Sequence, residues 1–131
     1  MKYRTKILAI DDEIDEMVVI SIGDHRLTCF ASVCPFRISV GDECLVDLNA
    51  YFIGDPRATP LPMDVPDGIE RMNQGFAYTM IGRLKNSRFL VSGLTLDCED
   101  LASMLEEING GKWKVVVDRL DVEFLENYSL E

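Results

Sequence analysis

Most of this chain alternates apolar and polar side chains with a period of two. Successive side chains of an extended strand point to opposite faces, so the pattern confines the fold to half-buried β-strands. Val18, Ile20 and Ile22 share one face of Met17–Ile22, and Cys44, Val46, Leu48, Ala50 and Phe52 share one side of Cys44–Ile53, a long strand. Further strands are expected at Tyr3–Ile10, His25–Ala31, Phe76–Leu84, Phe89–Leu96 and Trp113–Leu125, the last dense in β-branched residues at Val115-Val116-Val117. Gly23-Asp24 gives a two-residue connection that suits a tight hairpin with positive φ at glycine. Lys85-Asn86-Ser87-Arg88 marks a second hairpin.

Two segments depart from this period. Over Glu99–Asn109, Leu101, Met104, Leu105 and Ile108 fall at i, i+3, i+4 and i+7, which predicts a helix of about three turns. Asp97 or Asp100 can cap its start, and Asn109-Gly110-Gly111 supplies a left-handed stop. Gly54–Gln74 contains Pro56, Pro60, Pro62 and Pro66, and prolines at that density cannot join a sheet interior. A long proline-rich loop over residues 54–74 is therefore expected, serving as a binding loop or a mobile one.

Composition bounds the class. The chain has 131 residues with Lys+Arg 13 and Asp+Glu 23, a formal charge of −10, and is 47% hydrophobic. A chain of this size folds as one domain, residues 1–131, without a structural metal or disulfide. Its apolar runs, such as Met17-Val18-Val19-Ile20, fall far short of the roughly 20 residues a membrane-spanning helix needs. Ile7-Leu8-Ala9-Ile10 is also too short for a signal-peptide core of roughly 7–15 residues, so a cytoplasmic location is expected and no membrane association.

Seven short strands, glycine turns and one helix, without recurring strand-helix-strand units, predict a mainly β fold built as a small antiparallel barrel. The arrangement of a long strand, meander hairpins and a helix able to plug one end resembles the OB-fold, at the level of fold alone. The expected helix precedes the last strand, whereas an OB barrel places its helix between the third and fourth. No functional residue is carried over from the resemblance, and an SH3-like barrel or a β-sandwich is the alternative architecture.

The chemistry-bearing residues form no catalytic motif. Cys29, Cys34, Cys44 and Cys98 lack the short paired spacing of a zinc site, and Cys29 and Cys44 fall on apolar strand faces where a thiol acts as a small hydrophobe. Reduced, metal-free thiols are expected. His25, the only histidine, sits beside a hairpin turn with no nucleophile placed to use it. Asp11, Asp12, Asp15 and Glu16 read as a solvated turn between strands. There is no glycine-rich phosphate loop, so no cofactor is expected and enzymatic activity is unsupported.

Binding is what remains. The leading expectation is a protein-interaction or regulatory module whose partner is a protein, a basic surface being the complement of its charge. The candidate partner site is the proline-rich segment, through Leu61, Met63, Val65, Asp67 and Ile69. The alternative is single-stranded nucleic acid, as OB-like barrels bind it, on a face made by Lys2, Arg4 and Lys6 with Arg83, Lys85 and Arg88. Net acidity opposes a polyanion, and basic residues on an outward strand face also serve solubility, so nucleic acid is disfavoured.

Overall fold

The computed structural model describes residues 1–14, 16–98 and 111–130. The chain is mainly β, with eleven strands among the described residues, and it divides into two compact units. One comprises residues 1–48 and 120–131, and the other residues 49–119. The helix expected at Glu99–Asn109 lies outside the described residues. Among the described residues no helix is long and apolar enough to cross a membrane.

The first unit is a closed barrel of five strands. β1 (Lys2–Ile10), β2 (Met17–Ile22), β3 (His25–Val33), β4 (Glu43–Tyr51) and β11 (Arg119–Asn127) are hydrogen-bonded in the order β1-β2-β3-β11-β4, and β1 closes the ring by pairing with β4. Closure depends on β1 serving two neighbours: residues 2–6 pair with β4, residues 6–10 pair with β2, and the register shifts between Ile7 and Ala9. Such an irregularity bends a strand, which lets one strand turn a barrel corner. β3 and β11 run parallel, and β1–β2, β2–β3 and β1–β4 run antiparallel.

Alternation decides what fills this barrel. Ile7, Val18, Ile20, Leu27, Cys29, Cys44, Val46, Leu48, Leu120, Val122 and Phe124 are all buried, with the intervening residues turned outward. Residues 34–42, between β3 and β4, form no strand or helix; Phe36 packs edge-on against Phe124 at 6.3 Å and 79°. Asn127 anchors the same segment, its Nδ2 donating to the Arg37 carbonyl at 3.3 Å and to Asp42 Oδ2 at 2.9 Å.

The second unit contains β5 (Arg57–Leu61), β6 (Gly68–Arg71), β7 (Tyr78–Lys85), β8 (Arg88–Val91), β9 (Leu94–Asp97) and β10 (Lys112–Val117). β10 lies between β5 and β7. The opposite edge of β7 is shared, residues 78–81 pairing with β6 and residues 83–85 with β8, which pairs in turn with β9. One side of this sheet is apolar and buried: Tyr78, Met80, Leu84, Phe89, Val91, Leu94, Leu96, Trp113, Val115 and Val117.

The described residues form eleven strands where seven are expected, for local reasons. Phe89–Leu96 is two strands because Ser92 and Gly93 both adopt positive φ, 48° and 86°, as the centre of a type I′ turn does. Trp113–Leu125 is also two, divided at Asp118. The proline-rich stretch 54–74 holds β5 and β6 rather than one unpaired loop. Pro60 fits because among the described residues β5 pairs only with β10, so its missing N–H leaves no ladder bond unmade on a central strand.

Candidate binding surfaces

The register of β2 and β3 assigns each residue to a face, since directly paired residues point the same way. Val18 with Cys29 and Ile20 with Leu27 point into the barrel. Met17 with Phe30, Val19 with Thr28, and Ser21 with Arg26 therefore form the outer face. Met17, Val19 and Phe30 are half-buried there, and Arg26 is the face's one cation. Asp121 of β11 lies beside Phe30 across the parallel ladder.

Next to this face runs the β1–β2 connection, Asp11-Asp12-Glu13-Ile14-Asp15-Glu16. Asp11 organises its start, because its Oδ1 accepts the backbone N–H groups of Glu13 and Ile14, both at 2.8 Å. Those two donors favour the charged carboxylate and hold its pKa below the usual value. The Glu16 carbonyl accepts the Ala31 N–H at 2.7 Å, tying the far end of the connection to β3. Acidic side chains and a half-buried apolar strip thus adjoin on one part of the barrel.

The six residues expected to form a nucleic-acid face divide between the units. Lys2, Arg4 and Lys6 line the exposed side of β1 but face carboxylates of β4: Lys2 is opposite Asp47, Lys6 is opposite Glu43, and Arg4 Nη2 meets Glu43 Oε2 at 3.1 Å. Arg4 also lies 4.4 Å from the centre of the Tyr128 ring. Arg83, Lys85 and Arg88 are exposed in the second unit, with Arg88 3.6 Å from Asp97.

The five residues expected at a partner site have separate roles. Leu61 and Ile69 belong to strands, opposite Lys112 and Met80 respectively. Val65 is half-buried and its N–H donates to the Pro62 carbonyl at 3.2 Å, while Met63 is 50% exposed. Asp67 forms an ion pair with the nearly buried Lys112 and accepts the Ser92 N–H at 3.1 Å. Partial burial pushes its pKa up, but the hydrogen bonds from Lys112 and Ser92 and the charges of Lys112 and Arg83 outweigh it and hold the carboxyl below its usual value. Its carboxylate therefore serves an internal clasp.

Two further features were not anticipated from the sequence. Asp118, at the corner after β10, receives the Ile53 N–H at 2.8 Å and Arg57 Nη2 at 2.7 Å, and Arg119 lies 4.4 Å over the Tyr51 ring. Lys112 is a lysine with only 7% of its surface exposed. Burial pushes the Cys44 thiol up to about 11 and raises Cys29 and Cys34 as well. Among the described residues no group of three or more His, Cys, Asp and Glu side chains is placed to hold a metal ion.

A family model described as Uncharacterised conserved protein UCP019853 matches residues 1–125. The chain belongs to that family. This UCP019853 chain matches no curated protein and no solved structure.

Proposed function

We propose that the barrel unit is an OB-like, non-enzymatic docking module that takes a basic, partly apolar protein segment across the outer face of β2 and β3. Its strand order, with β1 closing on β4 and the third strand parallel to the last, supports the OB-like reading. OB-type barrels use the face of their second and third strands, with the loops joining strands one to two and four to five, to take extended ligands. Here the β1–β2 connection carries five acids in six residues, and the adjoining face offers Met17, Val19 and Phe30 with Arg26 as its only cation. That pairing of an acidic connection with an apolar strip is the observation that carries the reading. A strand of phosphates at this face would meet repulsion and lose the counterion-release term that dominates such binding. A basic amphipathic segment would gain both charge complementarity and apolar burial.

The test uses the full chain and a fluorescent ten-residue peptide of alternating Lys and Leu. Binding should weaken with added salt and fall at least tenfold in the triple variant Asp12→Asn/Glu13→Gln/Glu16→Gln. Asp55→Asn/Asp64→Asn, which removes acids from the second unit, should leave it nearly unchanged. Equal losses in both variants would reduce the effect to net charge and overturn the proposal. Tighter binding of a twelve-nucleotide oligothymidylate than of the peptide would favour the nucleic-acid reading instead.

A further inference from the structure

The second unit carries a surface of the opposite sign. Cross-strand register places Lys112 opposite Arg83, Lys114 opposite Ile81 and Arg88 opposite Lys85, all on the side of the sheet away from the apolar residues Trp113, Val115, Met80 and Leu84. Arg83 is also opposite Leu90, and Lys112 opposite Leu61. Cations on adjacent strands thus alternate with the half-buried aliphatic residues Ile81, Leu90 and Leu61. Directly opposed residues stand about 5 Å apart, so these charges form one continuous field.

The same register places the exposed Glu70, opposite Thr79, on this side of the sheet, yet the local carboxylates leave part of the field uncompensated. Asp67 is shared between Lys112, which it contacts, and Arg83, whose charge it feels. Asp97 stands 3.6 Å from Arg88. Lys85 and Lys114 are exposed and have no ion pair among the described residues. On a chain of net charge −10, a sheet face with this excess of cations runs against the whole-molecule field.

We infer that this outer face of the β5-β10-β7-β8 sheet is a docking surface for an acidic amphipathic protein segment. Carboxylates of such a segment match Arg83, Lys85 and Lys114, and its apolar residues cover Ile81, Leu90 and Leu61. The pairs that define the face include no aromatic side chain, so it lacks the stacking platforms that single-stranded nucleic acid uses. The inference is independent of the barrel reading and concerns different residues. If both hold, the chain is an adaptor with two docking surfaces of opposite charge.

The experiment measures binding of the full chain to a fluorescent ten-residue peptide of alternating Glu and Leu, to its Glu→Gln counterpart and to a twelve-nucleotide oligothymidylate. The expected result is binding of the acidic peptide in spite of the chain's negative charge, at least tenfold tighter than the neutral one and weakening with salt. The charge-reversed variant Arg83→Glu/Lys85→Glu/Lys114→Glu should lose that binding. Lys85→Gln/Lys114→Gln keeps the test valid should the reversed variant fail to fold, and should weaken acidic-peptide binding severalfold while leaving the chain's melting temperature nearly unchanged. Undiminished binding in this second variant, no preference for the acidic over the neutral peptide, or tighter binding of oligothymidylate would each overturn the proposal.

Discussion

A methyl group at Gly82 would stand 2.3 Å from the Leu90 carbonyl oxygen and 3.0 Å from Val91 Cβ, so the approach of β8 to β7 depends on the absence of a side chain there. Gly82→Ala should therefore cost about 1–3 kcal/mol by overpacking. Urea unfolding followed through the fluorescence of Trp113, the chain's one tryptophan and a residue of the same sheet, measures it. Leu48 tests the barrel: it is fully buried, and Leu48→Ala should lose about 2–5 kcal/mol through the cavity it leaves. Asp67 gives a pH dependence. Its folded pKa lies below the unfolded value near 3.8, so its contribution is fully present above that value and is lost as pH falls through the folded pKa. Asp67→Asn should destabilise the second unit near neutral pH and flatten this acid-induced loss, which unfolding curves at pH 7 and pH 3 compare directly. Leu48 was legible from alternation alone. Lys112 was not, because a lysine beside Trp113 in sequence does not announce that the chain will fold Asp67 onto it from 45 residues away.

At the scale of elements, the phase of alternation held information that strand length did not. Trp113, Val115 and Val117 are inward at odd positions, and Leu120, Val122 and Phe124 at even ones. A continuous strand cannot change phase without a break or bulge, so the flip at Asp118 marks a corner. Phe89 and Val91 against Leu94 and Leu96 show the same flip at Ser92-Gly93. By contrast, nothing in the spacing of β5 and β6 shows that β10 and β7 supply their partners, because pairing across such sequence distances is a property of the folded chain. The candidate site fared similarly: the acidic β1–β2 connection was readable, but the outer face of β2–β3 beside it required the register. These pairings give residues 54–74 an uneven stability. Amides of Ile69 and Glu70, on a strand paired with β7, should exchange with solvent more slowly than those of Met63 and Asp64 in the exposed turn. Uniformly rapid exchange from 54 to 74, measured residue by residue, would contradict that ordering.

For the whole molecule, charge is divided unevenly along the chain. The barrel residues include 13 acidic and 5 basic side chains, while residues 49–119 include 10 and 8. Self-repulsion among the barrel's carboxylates is screened as ionic strength rises, so the melting temperature should increase between 0.01 and about 0.15 M salt, where the screening length falls from roughly 30 to 8 Å. A calorimetric scan at the two concentrations decides it. The barrel's discontinuity in sequence also constrains how the chain reaches its native state. Residues 52–118 separate β4 from β11, and β11 must pair with β3 and β4 before the ring is closed. During synthesis the first four barrel strands consequently wait for the fifth with an open edge, through all of the intervening translation. Loop-closure entropy grows only logarithmically, by about 0.6 kcal/mol per doubling of length, but compaction of the intervening residues would shorten the effective span further. Early collapse of the second unit would then act as an intramolecular splint, making its folding rate a determinant of how long the barrel's unfinished edge is exposed to aggregation.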